Sequence, residues 1–346
     1  MSLFKKFFKG IIHKRDPKDE TVDVKEKPKP KYYGTVTPYP NFNASSDASI
    51  LQSSIESKKV DEDVIGAILA KRNNEQRQKI KAVYESSYGK NLVKSLKPVL
   101  SSHLEDVVLA LLMPPAHFDA YLLRRATKGL GTDEDVLVEV LVTRSYAELQ
   151  EIKKVFKQEY QKELEEVIKE ETRGDFTKAL LAMLNTKRDQ NTAVDMELAK
   201  KDAKILFEAG EGIGKADVST FINILTTRSG PQLSKTFQHY AAISDVTLPK
   251  ALQMELKGDI EDCLIDIVKC AWNTPAFFAE KLNRAMKGLG TSDRTLIRIL
   301  VSRSEVDLQK VVEEYRAMFD RTLHEDILND TKGHYQKVLL ALCGPS

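Results

Sequence analysis

Apolar side chains recur at intervals of three and four residues along most of this chain, which is the period of an α-helix with one buried face. Alanine, leucine, lysine and glutamate are common in these stretches and favour helix over sheet. In one well-punctuated region Thr132 with Asp135 predicts a capping-box-like helix start. The pattern there predicts five short helices, at about 116–127, 133–144, 146–161, 163–170 and 175–184. The predicted fold class is all-α.

The helical pattern occurs four times along the chain. A similar apolar helix is closed by an arginine at Arg72, Arg144, Arg228 and Arg303, at intervals of 72, 84 and 75 residues. Return of one unit at a near-constant spacing is typical of repeat proteins. We therefore predict four repeats of about 70 residues, each a five-helix bundle, at 42–113, 114–186, 187–273 and 274–346.

The first fifteen residues predict a separate, basic amphipathic helix. Its lysines fall on one side and its large apolar residues on the other, while Gly10 weakens the helix. The apolar face consists of Leu3, Phe4, Phe7, Phe8, Ile11 and Ile12. Residues 16–41 carry five prolines among charges and little apolar periodicity, so they predict a solvated linker before the folded body.

Composition narrows the function classes. The chain has 346 residues, of which 42% are apolar, and this is enough for several packed modules. The formal net charge is +2, and residues 1–15 alone contribute +5, which leaves −3 for residues 16–346. A broad basic face that binds nucleic acid is therefore not expected.

Cysteine usage and hydropathy predict a cytosolic protein. The three cysteines, Cys263, Cys270 and Cys343, form no even-numbered disulfide framework, and the first two lie in a helical apolar run as predicted buried thiols. No apolar run approaches the roughly 18 residues that a membrane span needs. Lysines interrupt the amino end too often for a signal peptide.

One five-residue motif, Lys-Gly-Leu-Gly-Thr, occurs at 128–132 and again at 287–291. Thirty-nine positions beyond each threonine stands a carboxylate, Glu171 or Asp330. Alternating glycines let the backbone take positive φ and turn carbonyl oxygens toward one point, where a distant acid can close an oxygen-only shell. Two copies at the same offset predict a calcium site whose open position is filled by water or by a lipid phosphate oxygen.

In these residues the chain resembles the annexin family, whose repeats carry Lys-Gly-x-Gly-Thr followed by an acid at this distance. The resemblance spans residues 42–346. It implies Ca²⁺ as cofactor and anionic phospholipid membranes as partner. The implied ligands are the carbonyls of Thr127, Gly129 and Gly131 with Glu171 in the second repeat, and the carbonyls of Met286, Gly288 and Gly290 with Asp330 in the fourth.

The third repeat departs from this pattern in its loop. The resemblance places its ligands at Gly210, Ile213 and Lys215, with Glu255 thirty-nine positions beyond Ala216. Lys215 stands where the family has glycine, and Ala216 where it has threonine. A lysine at positive φ costs about 1 kcal/mol or more relative to glycine, so we expect a weaker or rearranged site. The loop lacks the spacing of a phosphate-binding loop.

The first repeat departs furthest, because its loop has no glycine and Val99 replaces the acid. No full site is expected there. The resemblance also implies lesser sites, each built from one or two carbonyls and a nearby acid. These candidates are Val60 with Glu62, Lys97 and Leu100 with Glu105, and Thr132 with Glu134. A solvated carboxylate at the start of a helix explains each of them equally well.

The basic amino-terminal helix has three interpretations. It can lie in a membrane interface, with its phenylalanines at the acyl boundary and its lysines on anionic head groups. It can enter the groove of a partner, as with the small calcium-sensor dimers that bind annexin tails. It can also dock on its own core. The sequence leaves all three open.

An enzyme is the rival class, but the sequence offers it little. The six histidines form no pair at metal-binding spacing, and the helix around His324 lacks the second histidine of a zinc protease. A calcium-independent helical scaffold, acting through the amino-terminal helix, remains the alternative. The resemblance implies instead a protein that joins the cytosolic face of plasma membrane and vesicles when Ca²⁺ rises. Membrane aggregation, trafficking, phospholipase A2 inhibition and an extracellular pool are implied by resemblance alone.

Overall fold

The computed structural model describes residues 2–11, 31–211 and 217–346. Every regular element within these residues is helical, so the all-α prediction is confirmed. Two compact units are present. One comprises the described residues of Met1–Glu26 and Asp119–Phe277, and the other those of Lys27–Phe118 and Phe278–Ser346. We call them the first and the second unit.

Twenty α-helices and one 3₁₀ helix lie in the described residues. The first twelve elements are α1 Leu3–Phe7, the 3₁₀ helix Lys9–Ile11, α2 Ala44–Glu56, α3 Glu62–Ala70, α4 Asn74–Tyr88, α5 Leu92–Leu96, α6 Ser102–Leu112, α7 Pro115–Thr127, α8 Glu134–Thr143, α9 Tyr146–Tyr160, α10 Leu164–Glu171 and α11 Gly174–Asn185. The remaining nine are α12 Met196–Glu211, α13 Val218–Thr227, α14 Gly230–Ile243, α15 Leu248–Glu255, α16 Asp259–Met286, α17 Asp293–Arg303, α18 Leu308–Phe319, α19 Leu323–Asp330 and α20 Gly333–Cys343. The five helices predicted between 116 and 184 match α7 to α11 within one residue at every end.

Local signals explain this agreement, as α9 illustrates. Ser145 caps the helix, and its side chain and that of Glu148 form a capping box that satisfies two backbone N–H groups. Leu149, Ile152 and Phe156 recur on one face and are at most 1% exposed. Capping fixes where the helix begins, and the apolar face fixes which side is buried.

The arginine that marks each of the first three repeats is paired with an aspartate of the preceding helix. The pairs are Arg72 with Asp47, Arg144 with Asp119 and Arg228 with Asp202, with shortest N to O distances of 2.7, 2.8 and 2.8 Å. Two nitrogens of each guanidinium donate to the two carboxylate oxygens. Because an unpaired buried charge is costly, each pair holds the end of the second helix of its repeat against the first.

The fourth repeat keeps the arginine and changes its partner. Phe278 stands twenty-five residues before Arg303, the spacing at which the first two repeats have aspartate. The guanidinium carbon lies 4.5 Å from the centroid of the Phe278 ring. The carboxylate comes from Asp307, one helical turn later, at 2.8 Å. The charge thus retains an acid and gains an aromatic face.

The amino-terminal helix packs within the first unit. Phe7, Phe8 and Ile11 are buried, and the 3₁₀ helix contacts α14. Leu3 and Phe4 are half-buried, while the lysines of the segment stay exposed. The described residues of this helix therefore dock on the protein's own core, which is one of the three interpretations.

Two side chains of α16 complete the groove for this helix. The ammonium of Lys269 lies 5.4 Å from the centroid of the Phe7 ring. A Cβ added to Gly10 would lie 2.7 Å from Cζ2 of Trp272, so the indole packs directly on the glycine backbone. Gly10, which weakens the isolated helix, is thus required by this close approach. Ile12, predicted on the same face, lies outside the described residues.

Residues 31–40, predicted as part of a solvated linker, instead belong to the second unit and are hydrogen-bonded within it. The N–H groups of Thr35 and Val36 donate to the carbonyl of Ser304 at 2.8 and 3.0 Å. The carbonyl of Tyr33 accepts from the N–H of Gln309 at 2.9 Å. These bonds use backbone groups, including a carbonyl left free at the end of α17. Side-chain periodicity carries no trace of them, and the linker was therefore predicted too long.

Candidate calcium-binding loops

The loops that carry Lys-Gly-Leu-Gly-Thr have the same backbone in the second and fourth repeats. Gly129 and Gly131 have φ of 112° and 83°, and Gly288 and Gly290 have φ of 99° and 84°. A Cβ added at any of these glycines would meet no atom within 4 Å. Glycine is therefore required there by backbone conformation, since packing leaves room for a side chain.

Each loop is closed by one backbone hydrogen bond across its base. The N–H of Asp133 donates to the carbonyl of Ala126, and that of Ser292 to the carbonyl of Ala285, both at 2.8 Å. Between these ends the chain bulges into solvent. Leu130 or Leu289 is at the tip, and each is fully exposed at 108%. An apolar tip of this kind suits contact with an apolar phase.

The predicted acids occupy one structural position. Glu171, Glu255 and Asp330 are the last residues of α10, α15 and α19. A negative charge is unfavourable at this end of a helix, where free carbonyls already carry partial negative charge. An acid placed there three times is poorly explained by helix stability, and it adds anionic oxygen to a site that a cation would stabilise.

Threonine joins each glycine loop to its acid. The Thr132 hydroxyl donates to Oε2 of Glu171 at 2.7 Å, and the Thr291 hydroxyl donates to Oδ2 of Asp330 at 2.8 Å. The glycine loop and the loop after the acid therefore meet at one end of the bundle in the second and the fourth repeat. The capping-box start predicted from Thr132 is wrong, because the side chain of Asp133 caps α8.

The donor set suits a hard cation. No group of three or more histidine, cysteine, aspartate and glutamate side chains that could hold a metal occurs among the described residues. A metal at the glycine loops would therefore draw on backbone carbonyls and one carboxylate. Calcium accepts such oxygen ligands, whereas zinc in proteins prefers nitrogen and sulfur. The residues present fit Ca²⁺.

The third repeat is described only in part. Gly210 belongs to the last turn of α12, and Glu255 is exposed at the end of α15. The predicted ligands Ile213 and Lys215 lie outside the described residues. The bond that closes this loop runs from the N–H of Asp217 to the carbonyl eight residues earlier, at 3.0 Å, compared with seven residues in the second and fourth repeats. The third loop is thus one residue longer at its base.

The first repeat joins its loops through a different carboxylate. Oε1 of Glu62 accepts from the N–H and the hydroxyl of Ser101, both at 3.1 Å. Oε2 of Glu62 lies 3.5 Å from Nε2 of His334. Nδ1 of the same ring is bonded to Asp63, and this hydrogen bond lowers the pKa of the Asp63 carboxyl. Glu62 is thus already engaged from two sides.

The three lesser candidate sites all have their acids at helix starts. Glu62, Glu105 and Glu134 lie in the first turns of α3, α6 and α8, where the helix dipole favours a carboxylate. The carbonyl of Val60 accepts from the N–H of Glu62 at 3.1 Å. The other carbonyl candidates are Lys97, Leu100 and Thr132. These assignments remain predictions.

Comparison with known proteins places this geometry in a family. Four segments, residues 46–111, 118–183, 201–267 and 277–342, match the sequence model of the Annexin family. The chain belongs to the annexin family. This annexin is 49% identical to annexin A1 of Rattus norvegicus over 344 residues, which is 99% of each chain.

Solved annexin structures share its fold. The structure of annexin III matches with a TM-score of 0.89 at 44% identity, covering 91% of this chain and 98% of that one. A calcium-bound structure of annexin (Sm)1 matches with a TM-score of 0.81 at 31% identity, covering 91% and 93%. Annexins are calcium-dependent phospholipid-binding proteins. Among the described residues of this annexin, no helix combines the length and apolarity needed to cross a bilayer.

Sequence reasoning missed two features of the annexin loops. The full exposure of Leu130 and Leu289 was overlooked, although an apolar residue between two flexible glycines is a readable signal. The contact of Glu62 with Ser101 was missed as well. Its separation of thirty-nine residues equals that between each threonine and its acid, but here the acid comes first, so only a search of this spacing in both directions would have found it.

Proposed function

We propose that this annexin docks reversibly on anionic phospholipid through Ca²⁺ ions held between the glycine loops and the acids at the ends of α10, α15 and α19. The observation that carries this proposal is the hydrogen bond from Thr132 to Glu171, repeated by Thr291 and Asp330. It places a carboxylate beside an exposed loop whose glycines require positive φ. The third repeat takes part more weakly because of Lys215.

The proposed ligands leave the calcium shell incomplete. Three carbonyls and one bidentate carboxylate supply about five of the six to eight oxygens that Ca²⁺ takes. A phosphate oxygen of a lipid head group fills an open position, so the ion bridges protein and membrane. Because each ligand then favours the other, Ca²⁺ binds weakly in solution and more tightly beside anionic lipid.

The loop tips add a second attraction to the same surface. Leu130 and Leu289 enter the interface, where an apolar side chain is stabilised by leaving water. Lys128 and Lys287 are exposed beside them and meet anionic head groups. Apolar tip, lysine and bridging ion thus act on one target, an anionic bilayer.

We further propose that the amino-terminal helix engages a second membrane, with a small calcium-sensor dimer as the competing partner. Either role needs the face that Phe7, Phe8 and Ile11 bury in the first unit, so the helix must leave its groove. A protein held at both ends aggregates vesicles through avidity. We place it in the cytosol, moving to plasma membrane and vesicles when Ca²⁺ rises. Shielding of phospholipid in this way would also account for phospholipase A2 inhibition.

The test is sedimentation with phosphatidylserine vesicles across a Ca²⁺ titration. The intact chain is compared with the double variant Glu171→Gln plus Asp330→Asn. A matched control, Glu170→Gln plus Asp320→Asn, makes the same charge change at exposed positions of the same two repeats. A truncated chain lacks residues 1–30 only, because residues 31–40 are hydrogen-bonded within the second unit.

We expect the double variant to need far more Ca²⁺, while the control and the truncated chain bind like the intact protein. Binding that persists in chelator and disappears on truncation would instead support a calcium-independent scaffold that acts through its amino-terminal helix.

A further inference from the structure

The hydroxyl that joins loop and acid is not needed to build the helix that follows it. Asp133 caps α8 through its own side chain, so the Thr132 hydroxyl is free to serve Glu171. In the fourth repeat the α17 cap, Ser292, makes no side-chain capping bond, and Thr291 still donates to its acid. Helix formation therefore does not explain why a hydroxyl stands at these positions.

The bond leaves room for a cation on the carboxylate. A carboxylate has about four lone-pair positions, and the threonine occupies one of them. Unbonded, a glutamate side chain at a helix end moves among many rotamers, and ordering it when the ion binds costs conformational entropy. A hydroxyl that orders the acid before the ion arrives removes most of that cost from the binding step.

We propose that Thr132 and Thr291 are positioning residues that hold the acid against the glycine loop in the calcium-free protein, so that Ca²⁺ meets a formed site. This inference rests on the proposed function. Glutamate has one more rotatable bond than aspartate, so holding its carboxylate in one place costs more conformational entropy. The site of Glu171 consequently depends more on its threonine than the site of Asp330 does.

The other two repeats vary the same contact. In the third, the sequence has Ala216 at the threonine position, and its acid Glu255 is exposed, whereas Glu171 and Asp330 are half-buried. In the first, Ser101 donates to Glu62, so the loop that carries the acid and the loop that carries the hydroxyl have exchanged roles. Exposure of the acid thus follows the absence of a hydroxyl partner.

The experiment isolates the second repeat by working in a background of Glu255→Gln plus Asp330→Asn. Thr132→Val removes the hydroxyl and keeps the shape, and Thr132→Ser restores the hydroxyl. Thr226→Val is the control, because it removes a helix hydroxyl that donates to the carbonyl of Ile222 in its own helix. Calorimetry measures the affinity for Ca²⁺ in the presence of phosphatidylserine vesicles. The melting temperature in chelator measures how much the hydrogen bond from Thr132 to Glu171 stabilises the metal-free protein.

We expect Thr132→Val to weaken Ca²⁺ binding about tenfold and to lower the melting temperature in chelator by roughly 2–5 °C. Thr132→Ser should recover both, and Thr226→Val should leave the affinity unchanged. The matching Thr291→Val variant, in a background of Glu171→Gln plus Glu255→Gln, should lose less affinity. An unchanged affinity in Thr132→Val would overturn the positioning role. Absence of Ca²⁺ binding by the unmodified chain would instead overturn the proposed function.

Discussion

The backbone of the fourth-repeat loop leads to a sharp prediction for Gly288→Ala. Gly288 has φ of 99°, beyond the left-handed region near +60° that other residues can enter, and an added Cβ would meet no atom within 4 Å. The substitution therefore introduces backbone strain and no steric clash. Gly89 is the matched control, because it lies in the same unit, has φ of 63° at the end of α4, and is equally open.

The backbone strain sets how much Ca²⁺ affinity the Gly288→Ala variant loses. An alanine held at such a φ costs about 2 kcal/mol. The loop tip is exposed, so the alanine relaxes by rotating its peptide planes, and the carbonyls no longer point toward the acid. Recovering the binding geometry then costs Ca²⁺ about 2 kcal/mol, which is roughly a thirtyfold loss of affinity. Gly89→Ala should lower the free energy of unfolding by about 1 kcal/mol and leave Ca²⁺ affinity unchanged.

Calorimetric Ca²⁺ titration with phosphatidylserine vesicles measures the Ca²⁺ affinity of both variants. The background is Glu171→Gln plus Glu255→Gln, so that only the fourth repeat responds. Denaturant unfolding in chelator reports the stability of the same variants. If Gly288→Ala binds Ca²⁺ as well as Gly89→Ala does, positive φ is not what forms the site, and the reasoning from backbone conformation to calcium fails.

Two further predictions concern the first unit, and a third concerns the three thiols. Asp119→Ala leaves the buried guanidinium of Arg144 unpaired and should lower the free energy of unfolding by about 3–5 kcal/mol, measured by denaturant titration; a loss below 1 kcal/mol would contradict it. Gly10→Val drives a side chain into Trp272, the single tryptophan, and should shift its emission to the red as the helix undocks; unchanged emission would refute the docking contact. Cys270 is half-buried and the other two cysteines are buried, so thiol titration of the native protein should find one fast thiol in three, and labelling of all three at equal rates would contradict the packing.

The site was predictable where its signals are local. Each glycine that needs positive φ is visible as a glycine, and the acid thirty-nine positions later is visible as a repeated offset. The sequence also located Glu171 and Asp330, although their contacts with the loops join residues far apart in the chain. Repetition made this possible, since two copies of one spacing disclose a tertiary contact that a single copy would hide.

Other contacts had no such copy to disclose them. Thr132 was predicted to cap a helix because a hydroxyl near a helix start usually does so, and only the folded chain shows Glu171 beside it. Residues 31–40 appeared solvated because their hydrogen bonds with Ser304 and Gln309 are made by backbone groups, which every residue has and no side-chain pattern reveals. Glu62 looked like any acid at a helix start until Ser101 was brought next to it.

The sequence by itself therefore determined the helices, the four repeats, the glycine loops and the acids of this annexin, because period, capping and φ depend on residues close together in the chain. The tertiary structure decided which partner each polar group takes, and where the amphipathic helix of residues 3–11 lies. An apolar face must leave water, but it is equally stabilised by a membrane, a partner or its own core. The choice of Trp272 and α14 depends on which surface is nearest and fits, and that is settled only when the chain has folded.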